Sequence, residues 1–405
     1  MRRSRTNRLV AALEAGRRPA YISLLLSAML AGLTGIRFLV LVGNIPPEEY
    51  GVLNLFTLLS TLMPLLMSIG LPLQYQRVAH FDGAKRIPSL QRTSLYVTGI
   101  ATLPSFCVVL LVSRPITDGQ SWFWACVYIT VISTATAFST FSSQIMLGLN
   151  LRASASLIMF LVNSGATVAL LPAILGGVLE ATGILGWWAF FSVISALAAR
   201  RLVHLQKTMG RPRIRSVVSI REGLLSVPSQ IGPWLFIFVI RYLVGINAGV
   251  EAIANYAIAS TVVDMAFLVA VSLLNYFTNK VMAGKQSPMR GMLYSVPAFL
   301  VLALAASVGV AWILPLIGQD GYHLAVETLV ILTAVGVVRI YITAWRSRAL
   351  GEKKIHVSSA AYSLVVVGTL IAFSIWPTDS PEIYALVTLG GFIAVAASQR
   401  LSLRN

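Results

Sequence analysis

Four charged residues stand inside long apolar runs and are the best placed to do chemistry: Arg37, Arg241, Arg339 and Asp264. A charge at the centre of a membrane-crossing helix costs about 2.5 to 3.5 kcal/mol on insertion scales, so four of them need an offset on the order of 10 kcal/mol. Two of the arginines have matching surroundings. The stretch "GIRFLVLVGNIPPEEYG", from Gly35 to Gly51, is echoed 204 residues later by "VIRYLVGINAGVEAIANYA". Ile36, Arg37, Leu39 and Val40 recur there as Ile240, Arg241, Leu243 and Val244. Each arginine lies about six residues, or about 9 Å, from the outer end of its run, so a long side chain could snorkel part of the way to water. Snorkelling explains a single arginine but not a matched pair. Two guanidiniums facing one cleft would present planar forks of donors suited to phosphate or pyrophosphate. Arg339 sits about seven residues from the inner end of its run. Asp264, nearest mid-run, has no interface in reach, so it should pair with an arginine or titrate in coupling to an ion.

Other chemistries find no residues to carry them. Cys107 and Cys126 both sit in apolar runs, with neither a disulfide framework nor a metal-ligand spacing. His80, His204, His323 and His356 are scattered without HxxxH or HExxH spacing, and no cofactor or metal is expected. A membrane polymerase or ligase should carry catalytic groups on a sizeable outer loop. The longest loop here, 200–223, is basic, is expected inside and holds one acid, Glu222, with no nucleophile and base beside each other. The expectation is a protein that is not an enzyme.

Composition dictates what must position the four charges. With 57% hydrophobic and 11% charged residues and a mean hydropathy of +0.80, the chain is far from a soluble average. A bilayer core of about 30 Å takes about 20 apolar residues per helix. Twelve such runs fall near 20–43, 51–76, 93–113, 121–147, 153–176, 183–199, 224–246, 254–279, 292–316, 325–345, 357–376 and 383–399. Charge placement supports the count. With the N-terminus inside, the inner segments hold 27 of the 31 basic residues, Arg346 and Arg348 of the 346–354 loop included, while nine of the 14 acids lie outside. Membrane topology thus accounts for the net charge of +17, and no nucleic-acid partner is implied. The arginine-rich start has no short apolar stretch followed by a cleavage site and reads as a retained cytosolic arm.

The sequence divides into an arm (1–19), a first lobe of six helices (20–203), a basic cytosolic linker (204–223), a second lobe of six helices (224–401) and a tail (402–405). Six is even, so both lobes start on the same face and the repeat is parallel, its pseudo-two-fold along the membrane normal. Ser27, Ala31 and Gly35 form a ridge of small residues on the first helix, fit for close approach of a neighbour. Pro228 and Pro233 should bend the seventh. The fourth carries eight hydroxyls between Thr130 and Ser143, which serve more often as packing contacts than as ligands. Gln74, Gln144, Asn163, Gln230 and Asn275 are further polar positions that could line a central cavity.

The first-helix arginine, the turn "NIPPEEYGVLNL" into the second helix, "SIGLPLQYQRVA" at its close, the twelve spans and the echo at Arg241 together resemble one family. It is the polysaccharide, or oligosaccharide-lipid (O-antigen-type), flippases of the multidrug/oligosaccharidyl-lipid/polysaccharide (MOP) transporter superfamily. The sharp motif covers about residues 35–80. The resemblance implies an all-α membrane protein of two six-helix lobes, similar to the multidrug MATE transporters, around a cationic cavity. It implies alternating access that carries a polyprenyl-pyrophosphate-linked glycan to the outer leaflet for surface polysaccharide synthesis, across a bacterial cytoplasmic (inner) membrane with both termini cytosolic. Arg37, Arg241, Arg339 and Arg77 would bind pyrophosphate or acidic sugars, and Asp264 would serve an ion pair or a coupling ion, H+ or Na+. Polysaccharide polymerase and export machinery would be partners. The rival in the same superfamily is a multidrug/cation antiporter, whose cavity should favour acids, whereas three of the four buried charges here are positive. A peptidoglycan-precursor flippase is a further alternative, against which stands the lack of two additional C-terminal spans.

Overall fold

In hydrocarbon no water satisfies the backbone, so each apolar run closes its own hydrogen bonds as a helix. The computed structural model describes residues 18–114, 120–177, 179–205, 220–282, 284–317, 322, 324–352 and 355–403. Its helices are α1 (Arg18–Asn44), α2 (Pro47–Met67), α3 (Pro72–Asp82), α4 (Ile87–Ser113), α5 (Gln120–Gly148), α6 (Arg152–Val168), α7 (Leu170–Leu175), α8 (Ala181–His204), α9 (Ile220–Ala248), α10 (Val250–Met282), α11 (Pro288–Ile317), α12 (Val326–Gly351), α13 (Ile355–Ile375) and α14 (Pro381–Ser402). Among the described residues there is no strand, and twelve helical stretches are long and apolar enough to cross a membrane, with α6 and α7 forming one of them. Large apolar side chains such as Leu103, Leu111, Trp312 and Leu316 stand exposed, the reverse of a water-soluble surface. The chain is an all-α, multi-pass membrane protein.

Two expected spans are interrupted. The run expected at 51–76 stops at Met67, because Ile69 (φ 48°) and Gly70 (φ 66°) turn left-handed before Pro72 opens α3. A proline disfavours helical geometry in the residue before it and cannot donate to the preceding turn. Gln74 and Arg77 therefore sit on the separate helix α3. The run expected at 153–176 breaks at Ala169 between α6 and α7, where Pro172 has no amide to offer the carbonyl four residues earlier. By contrast α9 continues through both Pro228 and Pro233.

The helices form two compact units, residues 1–30 with 59–227 and residues 31–58 with 228–405. In the first, Tyr75 and Phe141 pack with ring centroids 4.7 Å apart, amid Ile87, Ile145, Met146, Ile158 and Val203. The hydroxyls of α5 are mostly spent on its own backbone: Thr130, Thr134, Ser139, Thr140 and Ser142 each donate to the carbonyl four residues before. In the second, Phe236, Tyr362 and Phe392 form an aromatic centre, with Gly232 against Tyr362 and Gly391 against Phe236.

This grouping departs from the expected lobes of 20–203 and 224–401, since residues 31–58 go with the C-terminal helices. The reason is contact at glycine. A Cβ on Gly35 would stand 3.3 Å from Met265 Sδ, and one on Gly51 would overlap the Val250 carbonyl. The Tyr322 hydroxyl donates to the Ile45 carbonyl at 3.0 Å, and Tyr50 packs edge-on against both Phe38 and Tyr322. Apolar surface gives helices in lipid little drive to associate, so close backbone approach and hydrogen bonds hold such a segment. The arm over 1–17, the linker over 206–219 and the last two residues of the tail lie outside the described residues.

Candidate functional site

Three helices of the second unit bring three of the four intramembrane charges together. Arg241 comes from α9, Asp264 from α10 and Arg339 from α12. The Asp264 carboxylate is divided between the arginines, with Oδ1 accepting from Arg339 Nη1 at 2.7 Å and Oδ2 3.7 Å from Arg241 Nη2. Arg241 donates further from Nη1 to Asn54 Oδ1 at 2.7 Å and from Nη2 to the Ser260 hydroxyl. Ser260 is one turn before Asp264, so α10 offers both groups from one face. Arg339 lays its guanidinium over the Phe267 ring at 4.0 Å, a favourable contact of a cation with an aromatic face.

Burial is uneven across the cluster. The arginine side chains are 4% and 8% exposed and that of Asp264 is 31% exposed, so the acid is the accessible member. One carboxylate against two guanidiniums leaves a net charge of +1. The Arg241 Nε–H is buried with no acceptor among the described residues. A space of about 20 Å³, lined by Arg241, Asp264, Arg339, Tyr256, Ser260 and Thr388 among others, adjoins the cluster, enough for one water.

Arg37 does not join this space. It is partly buried on α1 and interacts electrostatically with Tyr50, which also senses Arg241. The Tyr50 hydroxyl is in hydrogen-bonding reach of Thr261 and Asn54. The two repeated arginines thus both act on one tyrosine, Tyr50.

The other predicted positions are dispersed. In the first unit, Gln74 is half-buried on α3, Asn163 is exposed on α6 and Gln144 keeps a buried Oε1 on α5 without a donor among the described residues. The side chain of Arg77 lies outside the described residues. In the second unit, Asn275 is exposed and Gln230 lines a larger cavity. Asn54, Ser260 and Arg346 escaped the sequence reading. Ser260 could have been found as the polar residue one turn before Asp264. Arg346, expected in the 346–354 loop, lies within α12, two turns after Arg339 on the same face.

No family model matches the sequence, and no curated protein matches it. Solved structures do match over nearly the whole chain. A MOP superfamily transporter from Pyrococcus furiosus superposes with a TM-score of 0.68 at 13% identity, over 97% of this chain and 96% of that one. The chain has the fold of the MOP-superfamily transporters. A multidrug resistance MATE family transporter of that superfamily matches in its outward-facing conformation with a TM-score of 0.63 at 15% identity, over 99% and 96% of the two chains. An inward-facing conformation of a multidrug resistance MATE family transporter gives 0.60 at 14% identity, over 95% and 97%. At these identities the likeness is one of fold, and what the fold carries here depends on this chain's own side chains.

Proposed function

We propose that the chain is an alternating-access transporter that carries a lipid-linked, pyrophosphate-bearing oligosaccharide across a bacterial inner membrane, without covalent chemistry. The observation that carries this reading is the sign of the buried charge. Arg241 and Arg339 share the single carboxylate of Asp264, so the cluster keeps an unbalanced positive charge and an unused guanidinium N–H. A guanidinium fork holds phosphate oxygens in a planar geometry that an ammonium cannot reproduce. A cation exporter would be served by the opposite excess. The fold tolerates such a change: the Pyrococcus furiosus transporter is described as having a binding pocket of reverse polarity that suggests a different function.

One feature favours a second reading, a multidrug or cation antiporter. Asp264 is the most exposed member of the cluster, and the MATE transporters share the fold. Deletion of the gene separates the two. Under the first reading the deletion strain loses surface glycan, the wild-type gene restores it, and Arg241→Ala, accumulated to the same level, does not. Intact surface glycan in the deletion strain, together with raised sensitivity to cationic drugs, would sink the first reading in favour of the second.

A further inference from the structure

A larger cavity, about 110 Å³, lies within the second unit and is lined from α9, α10, α12, α13 and α14. Its wall collects polar atoms that have no partner among the described residues: Arg346 Nε, the Ser358 hydroxyl, the Tyr362 hydroxyl, and both the Nε2 and Oε1 of Gln399. Ser358, Tyr362 and Gln399 are 1%, 2% and 0% exposed. Buried polar groups are nearly always hydrogen-bonded, and each one left unpaired is destabilising. Four such residues converging on one space call for an occupant.

The donor set says what the occupant is. Arg346 Nε, the two hydroxyls and Gln399 Nε2 all offer hydrogens, and Gln399 Oε1 can accept from a hydroxyl or a water. The lining holds two arginines and no carboxylate. Arg339 already has a carboxylate partner in Asp264 at 2.7 Å, whereas Arg346 makes no ion pair among the described residues. Arg346 is partly buried, five residues before Gly351, the end of α12, or about 7.5 Å along the helix, and its Nε lies inside the bundle. The register places it there: Arg339 and Arg346 on α12, Ser358 and Tyr362 on α13, and Phe392 and Gln399 on α14 are each spaced to share one helical face.

We propose that this cavity is a binding site for one small anion, a halide or a single phosphate group, held by Arg346, Ser358, Tyr362 and Gln399 as the counter-charge of Arg346. The volume fits an anion of a few heavy atoms with a water or two. It falls well below the several hundred Å³ usual for larger ligands, which excludes a glycan. The site adjoins the Asp264 cluster through Arg339, which lines both spaces, but its four holding residues lie outside that cluster and it does not depend on the substrate proposed above.

The test uses the purified full-length protein in uncharged detergent at constant ionic strength, with sodium gluconate replaced by sodium chloride, by sodium phosphate, or supplemented with dodecyl phosphate. Chloride or inorganic phosphate is expected to raise Tm by on the order of 5 °C at a hundred-fold excess over Kd. Arg346→Gln and Tyr362→Phe should each remove most of that shift. A rise with either free ion identifies an inorganic anion, and a rise with dodecyl phosphate alone identifies a lipid headgroup. If Arg346→Gln does not fold, Tyr362→Phe decides, because it loses one hydroxyl and keeps the ring. No anion-specific rise in the wild type, or an undiminished rise in Tyr362→Phe, overturns the proposal. Glycan export plays no part in the readout, so failure here leaves the transport reading where it stands.

Discussion

Replacing Asp264 by Asn keeps the side chain's size and removes the charge that both arginines share. At an effective dielectric constant of about 20, the contact at 2.7 Å to Arg339 is worth about 6 kcal/mol and the one at 3.7 Å to Arg241 about 4 to 5 kcal/mol. Neither value survives in full. Desolvation of the ions opposes the attraction, and the carboxylate is 31% exposed. Removing one partner of a buried pair typically costs 3 to 5 kcal/mol, and partial exposure puts Asp264→Asn near the lower end, at about 3 kcal/mol. Most of that loss is the cost of two guanidiniums left without a counter-charge. Adding Arg339→Gln relieves the repulsion, so the double variant should be no less stable than Asp264→Asn alone. Equilibrium unfolding in mixed micelles, followed by circular dichroism and run as a double-mutant cycle, measures both quantities. The shared-carboxylate reasoning is refuted if Asp264→Asn stays within about 0.5 kcal/mol of wild type, or if the two substitutions simply add.

Two further outcomes follow from the packing. A Cβ on Gly391 would meet the Phe236 ring and Val365, so Gly391→Ala should destabilise by about 1 to 3 kcal/mol, and unchanged micellar unfolding would show that the contact relaxes freely. Burial, with Tyr50, Glu48 and Glu49 nearby, holds the Tyr322 phenol above its ordinary range. Its contribution to stability is therefore complete below pH 10, where the unfolded phenol titrates, and is lost as pH rises beyond it. Tyr322→Phe should cost about 0.5 to 1.5 kcal/mol at neutral pH, through the bond to the Ile45 carbonyl, yet flatten the decline above pH 10. A parallel alkaline decline in both proteins counts against that assignment.

The membrane character, the number of spans and the identity of the buried charges were legible because the solvent writes them as composition: apolar runs of fixed length, with rare charges inside. Local backbone punctuation was read less well. Leu71 and Pro72 look like two more residues of an apolar run, and the break at Ile69 and Gly70 lies in backbone angles that hydropathy does not encode. The match between Arg37 and Arg241 was visible, but its meaning was not. Recurring letters fix equivalent places on two helices, while the partners of Arg241, namely Asn54, Ser260 and Asp264, come from two other helices whose rotation is set by packing. Arg346 was assigned to the loop because charge near a span's end reads as interfacial. Its spacing of seven from Arg339 was the available signal, and the unpaired groups of Ser358, Tyr362 and Gln399 could not be seen without coordinates.

The bond between Arg241 and Asn54 also sets an order of events during synthesis. Asn54 is made 187 residues before its arginine, and at about 5 to 20 residues per second that is on the order of 10 to 40 s. Throughout that interval the α1–α2 hairpin is in the membrane with Gly51 facing no Val250, Ile45 offering its carbonyl to no Tyr322, and Arg37 beside a tyrosine that still lacks Thr261 and Tyr322. The earliest hairpin of the chain therefore reaches its final packing among the last, and a ribosome stalled between residues 203 and 228 should leave it open to cysteine labelling at positions that the finished protein protects.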